Sequence, residues 1–197
     1  MGNKAERLME ADEFLLWCLD QEDKYELVNG IPVKMLDGPN MMTGASHLHD
    51  RVVVNVIVLL KAQLRGTRCT PATADIAVRT RGRGIRRPDI TVTCDDPRSD
   101  RYESEDTKMV VEVLSPSNIG MTWQRKIEEY RHLAGLAYIL LIDTQSPSAT
   151  LLIRTATEWS SADFDGLDAV IALPDIACTL PMADIYDGVP FGEGSNA

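Results

Sequence analysis

Two acids set inside apolar strands, and one lysine on the helix that follows them, are the residues of this chain best suited to chemistry. Asp89 lies in Arg87-Pro88-Asp89-Ile90-Thr91-Val92, and Glu112 in Met109-Val110-Val111-Glu112-Val113-Leu114. Both segments are apolar and rich in β-branched residues, which reads as strand. A carboxylate buried among such neighbours is costly unless its charge is compensated. Two carboxylates over one small volume repel each other, and a hard divalent cation relieves that repulsion while keeping waters of its own. That is the chemistry of a metal-dependent phosphodiesterase. Either acid alone reads as a solvent-facing strand residue; the pair carries the inference.

Lys126 stands on the next element. Over Thr122–Ala134 the apolar positions Trp123, Ile127, Tyr130, Leu133 and Ala134 recur three and four apart, and Gly135 ends the run as a left-handed cap. Lys126 and Tyr130, at i and i+4, share a face of that helix. Because the helix starts soon after the Glu112 strand, Lys126 can reach the space beside the acids. The competing reading is an ordinary exposed helix lysine.

The remaining elements frame this trio. Ala11–Asp20 is a short amphipathic helix, and Tyr25–Val28 and Ile31–Met35 flank Asn29-Gly30, a strong hairpin signal. Gly38–Gly44 is a loop. Ser46 then caps a long helix to Leu64, with Gly66 beyond its end. Strands are expected at Ala74–Thr80, Asp89–Cys94, Lys108–Leu114, Tyr138–Asp143 and Thr150–Thr155, with an acidic capping extension from Ala162 onward. The sum is a single α/β domain over residues 1–197, its core at about 12–188, built on a mixed, twisted central β-sheet flanked by α-helices.

Glu112-Val113-Leu114-Ser115-Pro116-Ser117 after Arg87-Pro88-Asp89, with Lys126-Ile127-Glu128-Glu129-Tyr130 beyond, resembles the Uma-type putative restriction endonuclease family of the PD-(D/E)XK nuclease superfamily. Tyr25-Glu26-Leu27-Val28-Asn29-Gly30, His49-Asp50-Arg51-Val52 and Tyr138-Ile139-Leu140-Leu141-Ile142-Asp143 extend the likeness over residues 12–188. The resemblance implies a restriction-endonuclease-like fold, with Asp89, Glu112 and the Val113 carbonyl as ligands of Mg²⁺, for which Mn²⁺ would substitute. Leu114 occupies the lysine position of the superfamily's Glu-x-Lys, and the resemblance implies that Lys126 takes that lysine's role from the helix. It also implies that Glu26 lies near the metal site; a cross-hairpin pair with Lys34 is the alternative. His49 would contact phosphate or position water.

Charge bears on the partner. A net −10 over 197 residues disfavours non-specific attachment to a polyanion. Yet Arg79, Arg81, Arg83, Arg86 and Arg87 stand together without an acid, directly before Pro88-Asp89. Two readings remain for this row: a phosphate-holding loop for DNA, suited to arginine's planar fork, or a solubilising hairpin tip. His47 and His49, at i and i+2, do not share a helical face as a zinc pair would. No P-loop or dinucleotide fingerprint occurs.

Cys18, Cys69, Cys94 and Cys178 lack metal-ligand spacing and are expected as reduced, packed thiols. With no signal-peptide core and no membrane-length apolar run, a cytoplasmic protein is expected. The leading function is thus a Mg²⁺-dependent DNA endonuclease. The alternative is a non-catalytic interaction protein on a degenerate nuclease fold, and self-association is open in either case.

Overall fold

The computed structural model describes residues 7–35, 47–96, 101–114 and 121–191. Helix α1 (Ala11–Cys18) leads into strands β1 (Tyr25–Val28) and β2 (Ile31–Lys34). Asn29 and Gly30 turn between them with φ of 54° and 82°, the positive values that a two-residue hairpin of this type requires. Helix α2 (His47–Gln63) follows, then β3 (Thr70–Thr73), β4 (Ala77–Thr80), β5 (Gly84–Arg86), β6 (Ile90–Thr93), β7 (Glu103–Ser104) and β8 (Thr107–Leu114). Helix α3 (Met121–Tyr130) precedes β9 (Tyr138–Asp143), β10 (Ser148–Arg154), β11 (Trp159–Asp165), β12 (Val170–Leu173), β13 (Cys178–Pro181) and α4 (Met182–Ile185).

The strands form three sheets. A six-stranded sheet runs β11-β10-β9-β8-β6-β3, a five-stranded sheet β2-β1-β5-β4-β7, and β12 and β13 form a hairpin of their own. The larger sheet is mixed: β8 and β9 are parallel, with α3 lying between them in the chain, and every other pairing is antiparallel.

Pleat parity divides the core. Ile90, Val92, Met109, Val111 and Val113 share one cluster with Val52, Val56 and Leu60 of α2. Those three helix residues recur every four positions, so the valine-rich segment is a helix with one buried stripe. On the opposite face Val110 packs with Ile127 and Tyr130 of α3, Leu136, Ile139 and Leu152. Glu112 has the parity of Val110 and therefore points toward α3. A third cluster seats α1 on the smaller sheet through Phe14, Leu15, Leu27, Ala77 and Ile85.

Several expectations change. The chain from Ala162 is no capping extension, because Ile171, Leu173, Leu180, Met182 and Ile185 are buried in the main core. Side-chain hydrogen bonds from Asn55 to the Ile185 and Asp187 carbonyls, and from Gln63 to that of Thr179, fasten α2 to this segment. The strand expected from Ala74 starts at Ala77, and β3 precedes it as an edge strand that tolerates Pro71. Helix α3 ends at Tyr130, four residues before the expected limit. Cys69 and Cys94 form a disulfide instead of two thiols; each lies one step beyond the Thr70–Thr93 pair, which sets them side by side. Cys18 and Cys178 are free. The Gly38–Gly44 loop and the Ser46 cap lie outside the described residues. No described helix is long and apolar enough to cross a membrane.

Candidate active site

The acids meet where the two sheets approach α3. Ile90 pairs with Val111, so the next rung sets Asp89 opposite Glu112. Asp89 Oδ2 accepts the Val113 backbone N–H at 2.7 Å and lies 3.3 Å from His49 Nε2. The histidine stands one turn before Val52 on the inward stripe of α2, which is why it and not His47 reaches the site. Glu112 is buried and accepts the Tyr130 hydroxyl at 2.6 Å. Lys126 Nζ lies 3.3 and 3.4 Å from its two oxygens.

A third acid comes from the smaller sheet. Glu26 is buried on β1, on the face away from α1, and does not pair with Lys34, which bridges to Asp23. Glu26 Oε1 lies 3.1 Å from Lys126 Nζ and accepts the Arg87 backbone N–H at 3.0 Å. Its Oε2 accepts Arg86 Nη1 at 2.8 Å. Arg86, 2 % exposed, turns the rest of its fork on Glu129 of α3 at 2.7 and 2.8 Å. Arg125 joins Glu129 from the surface at 3.0 Å. One arginine thus ties β5, β1 and α3 together beneath the lysine.

The electrostatics follow from this crowding. Burial pushes the Glu112 carboxyl up to about 7; Asp89 and Glu26 add to the rise, against the pull of Lys126 and Tyr130. Burial works against the Lys126 charge, but Glu112 and Glu26 outweigh it and hold the ammonium above its ordinary value. At His49, burial is likewise outweighed by Asp89, and the imidazole is raised. Burial and the neighbouring carboxylates raise the Tyr130 hydroxyl, so it remains a donor. Asp89 and Glu112 face each other across β6 and β8 and offer hard oxygen donors to one small volume. That combination fits a hard divalent cation at Asp89 and Glu112. Among the described residues no three His, Cys, Asp or Glu side chains are grouped tightly enough to hold an ion by themselves, so water or backbone would complete the shell.

The arginine row is redistributed. Arg86 and Arg87 are buried, and Arg87 donates to the Tyr25, Ala74 and Asp75 carbonyls. Both would have to abandon internal partners to touch a nucleic acid, so the expectation that they bind one is corrected: they bind the fold. Arg79 pairs with Glu103 and Asp12 at 2.7 and 2.6 Å, and Arg83 pairs with Glu10 at the surface. Arg81 is exposed at the β4–β5 turn.

Sequence reasoning brought Asp89, Glu112, Lys126, Glu26 and His49 to one place, and the structure does the same. It gave no chemical role to Tyr130 or Glu129. The i,i+4 spacing of Lys126 and Tyr130 was the available signal for the first; Glu129 carried none. A cavity of about 320 Å³ lined by Val78, Arg79, Glu103, Ser104, Thr107 and Leu133 includes none of the three acids.

Comparison with known proteins adds the family. The Uma2 family model, described as "Putative restriction endonuclease", matches residues 11–183. An uncharacterized protein of Synechocystis sp. is 27 % identical over 184 residues, covering 91 % of this chain and 92 % of that one. The crystal structure of a putative nuclease of the DUF820 group from Anabaena variabilis superposes with a TM-score of 0.66 at 19 % identity. That match covers 90 % of this chain and 97 % of the other, a likeness of fold.

Proposed function

The chain belongs to the Uma2 family of putative restriction endonucleases, and from that premise we propose that it is a Mg²⁺-dependent endonuclease hydrolysing DNA phosphodiester bonds. The observation that carries the reading is the Lys126 ammonium resting on Glu112, beside the Asp89 that faces it. Leu114 cannot supply the lysine of a Glu-x-Lys strand, and the helix supplies it instead.

Asp89, Glu112 and the Val113 carbonyl would hold Mg²⁺, or Mn²⁺ in its place. Such an ion lowers the pKa of a bound water and stabilises charge on the scissile phosphate. Lys126 is held protonated by its two acids, so it acts as a fixed positive charge toward the pentacovalent phosphate, not as a base. Tyr130 keeps one Glu112 oxygen pinned, and Glu26 keeps the ammonium from swinging away. His49 orients Asp89 and contacts a flanking phosphate. Arg81 contacts the DNA backbone, with Arg79 and Arg83 exchanging surface carboxylates for phosphates.

A second reading has its own observation. Asp89 is already bound to a peptide N–H and Glu112 to Lys126 and Tyr130, a closed network that a non-catalytic interaction protein would also keep. Incubating supercoiled plasmid with the protein and Mg²⁺ or Mn²⁺ separates the two. Wild type should nick or linearise the DNA, and Asp89→Asn should abolish this. Lys126→Ala should slow it about a hundredfold, roughly 3 kcal/mol of transition-state stabilisation. A wild type inert on duplex and single-stranded DNA with both metals would leave the interaction protein standing.

A further inference from the structure

Lys126 Nζ occupies a position bounded by two carboxylates from different sheets, Glu26 of β1 at 3.1 Å and Glu112 of β8 at 3.3 Å. Its side chain is 15 % exposed. Neither acid has a second cation to itself. Arg86 divides its fork between Glu26 and Glu129, and the other partner of Glu112 at this end is the uncharged Tyr130 hydroxyl. Phosphodiesterases that use two ions seat them about 4 Å apart, with carboxylates bridging or flanking the pair. Here Glu112 stands between the ammonium, which both its oxygens touch, and the facing Asp89, with which it would hold the divalent ion.

Resting on the reading of Asp89 and Glu112 as the metal site, we propose that Lys126 is a resident cation filling the second ion position, so that the chain binds one divalent ion and not two. A divalent ion at the Glu26–Glu112 position would share its ligands with a positive charge already in contact with both. Repulsion at such short range, in a site with little water, excludes it. Conversely, removing the ammonium leaves Glu112 with no cationic partner and Glu26 with only its share of Arg86, an arrangement that an entering cation relieves. A hard cation entering there carries its own waters, which bridge oxygens set wider than direct ligation allows.

Helix α3 does not depend on this lysine for its place. Glu129 remains on Arg86, Tyr130 remains buried on Glu112, and Ile127 remains in the core. Alanine is also the best helix former. Lys126→Ala should therefore fold, with the acids in position.

The test is a Mn²⁺ titration of the metal-free full chain, followed by the electron paramagnetic resonance signal of free Mn²⁺. Wild type should saturate at one ion per chain and Lys126→Ala at two, while Lys126→Ala combined with Glu26→Gln should return to one. Lys126→Met, which keeps the alkyl stem without the charge, should also take two; far-UV circular dichroism checks each variant's fold. Two ions in wild type, or one in wild type and in both lysine variants, overturns the inference and leaves the nuclease reading intact. No Mn²⁺ bound by wild type, together with no cleavage, removes both. Failure of both lysine variants to fold would show that the ammonium is a structural strut, which also overturns the proposal.

Discussion

Glu112 concentrates the physics of the site. Its carboxyl is raised from an ordinary 4.5 to about 7, with burial as the leading cause. An acid whose folded pKa lies above its unfolded one weakens the fold as it ionises. Its contribution is therefore a loss of stability that begins near the ordinary carboxylate range and is complete above about 7. In a chelator-containing buffer, Glu112→Gln should raise the melting temperature at pH 8 and change it little at pH 4.5. Equal shifts at the two pH values would mean that this charge is not the source. Tyr130→Phe should remove a hydrogen bond to a buried anion and cost roughly 1.5–3 kcal/mol in urea unfolding. Much of this was legible beforehand, since an acid flanked by valines announces itself. The partnership with Tyr130 was not, because a tyrosine at helical spacing among apolar residues reads first as core.

At the level of elements, the β4–β5 hairpin shows what linear reading misses. Five arginines close together in sequence suggest one basic surface, but the strand pleat and the chain's turn toward β6 send them in different directions. Arg86 goes inward because Glu26 and Glu129 lie on the two surfaces that it joins. Arg86→Met should destabilise the protein by about 3–5 kcal/mol in urea, as expected when a buried ion network loses its centre. Arg81→Ala should leave unfolding unchanged, weaken duplex binding alike for all sequences, and lower the slope of log affinity against log salt by about one. Unchanged binding in Arg81→Ala would take the hairpin tip out of the DNA path. The helices and central strands were readable from periodicity and from Asn29-Gly30. Strand β3 escaped notice because Pro71 disguises an edge strand, and β12 and β13 because their short apolar runs sit among prolines and acids. The cross-strand bridge depends on register, which spacing along the chain does not encode.

Across the whole molecule, net charge and connectivity matter most. With a formal charge of −10, long-range repulsion should slow association with DNA, and added salt should speed the encounter by screening it while weakening the Arg81–phosphate contact, so rate and affinity should respond oppositely to ionic strength. The C-terminal hairpin and α4 supply core residues on the α2 side of the large sheet. A chain ending at Leu167 should accordingly lose its cooperative thermal transition; a retained sharp transition would show that this segment is dispensable.

The large separations within the site carry a kinetic consequence. Arg86 reaches Glu26 across 60 residues, Asp89 reaches the Val113 amide across 24, and Lys126 reaches Glu112 across 14. Contacts this distant along the chain must close loops before they return any favourable energy, and folds dominated by them form in milliseconds to seconds. In refolding from urea, far-UV ellipticity from α2 and α3 should recover ahead of the contacts around Lys126. During synthesis the order is stricter still: Glu26, Asp89 and Glu112 are made before Lys126. The charge cluster around Lys126 therefore cannot close until α3 has been made and has docked.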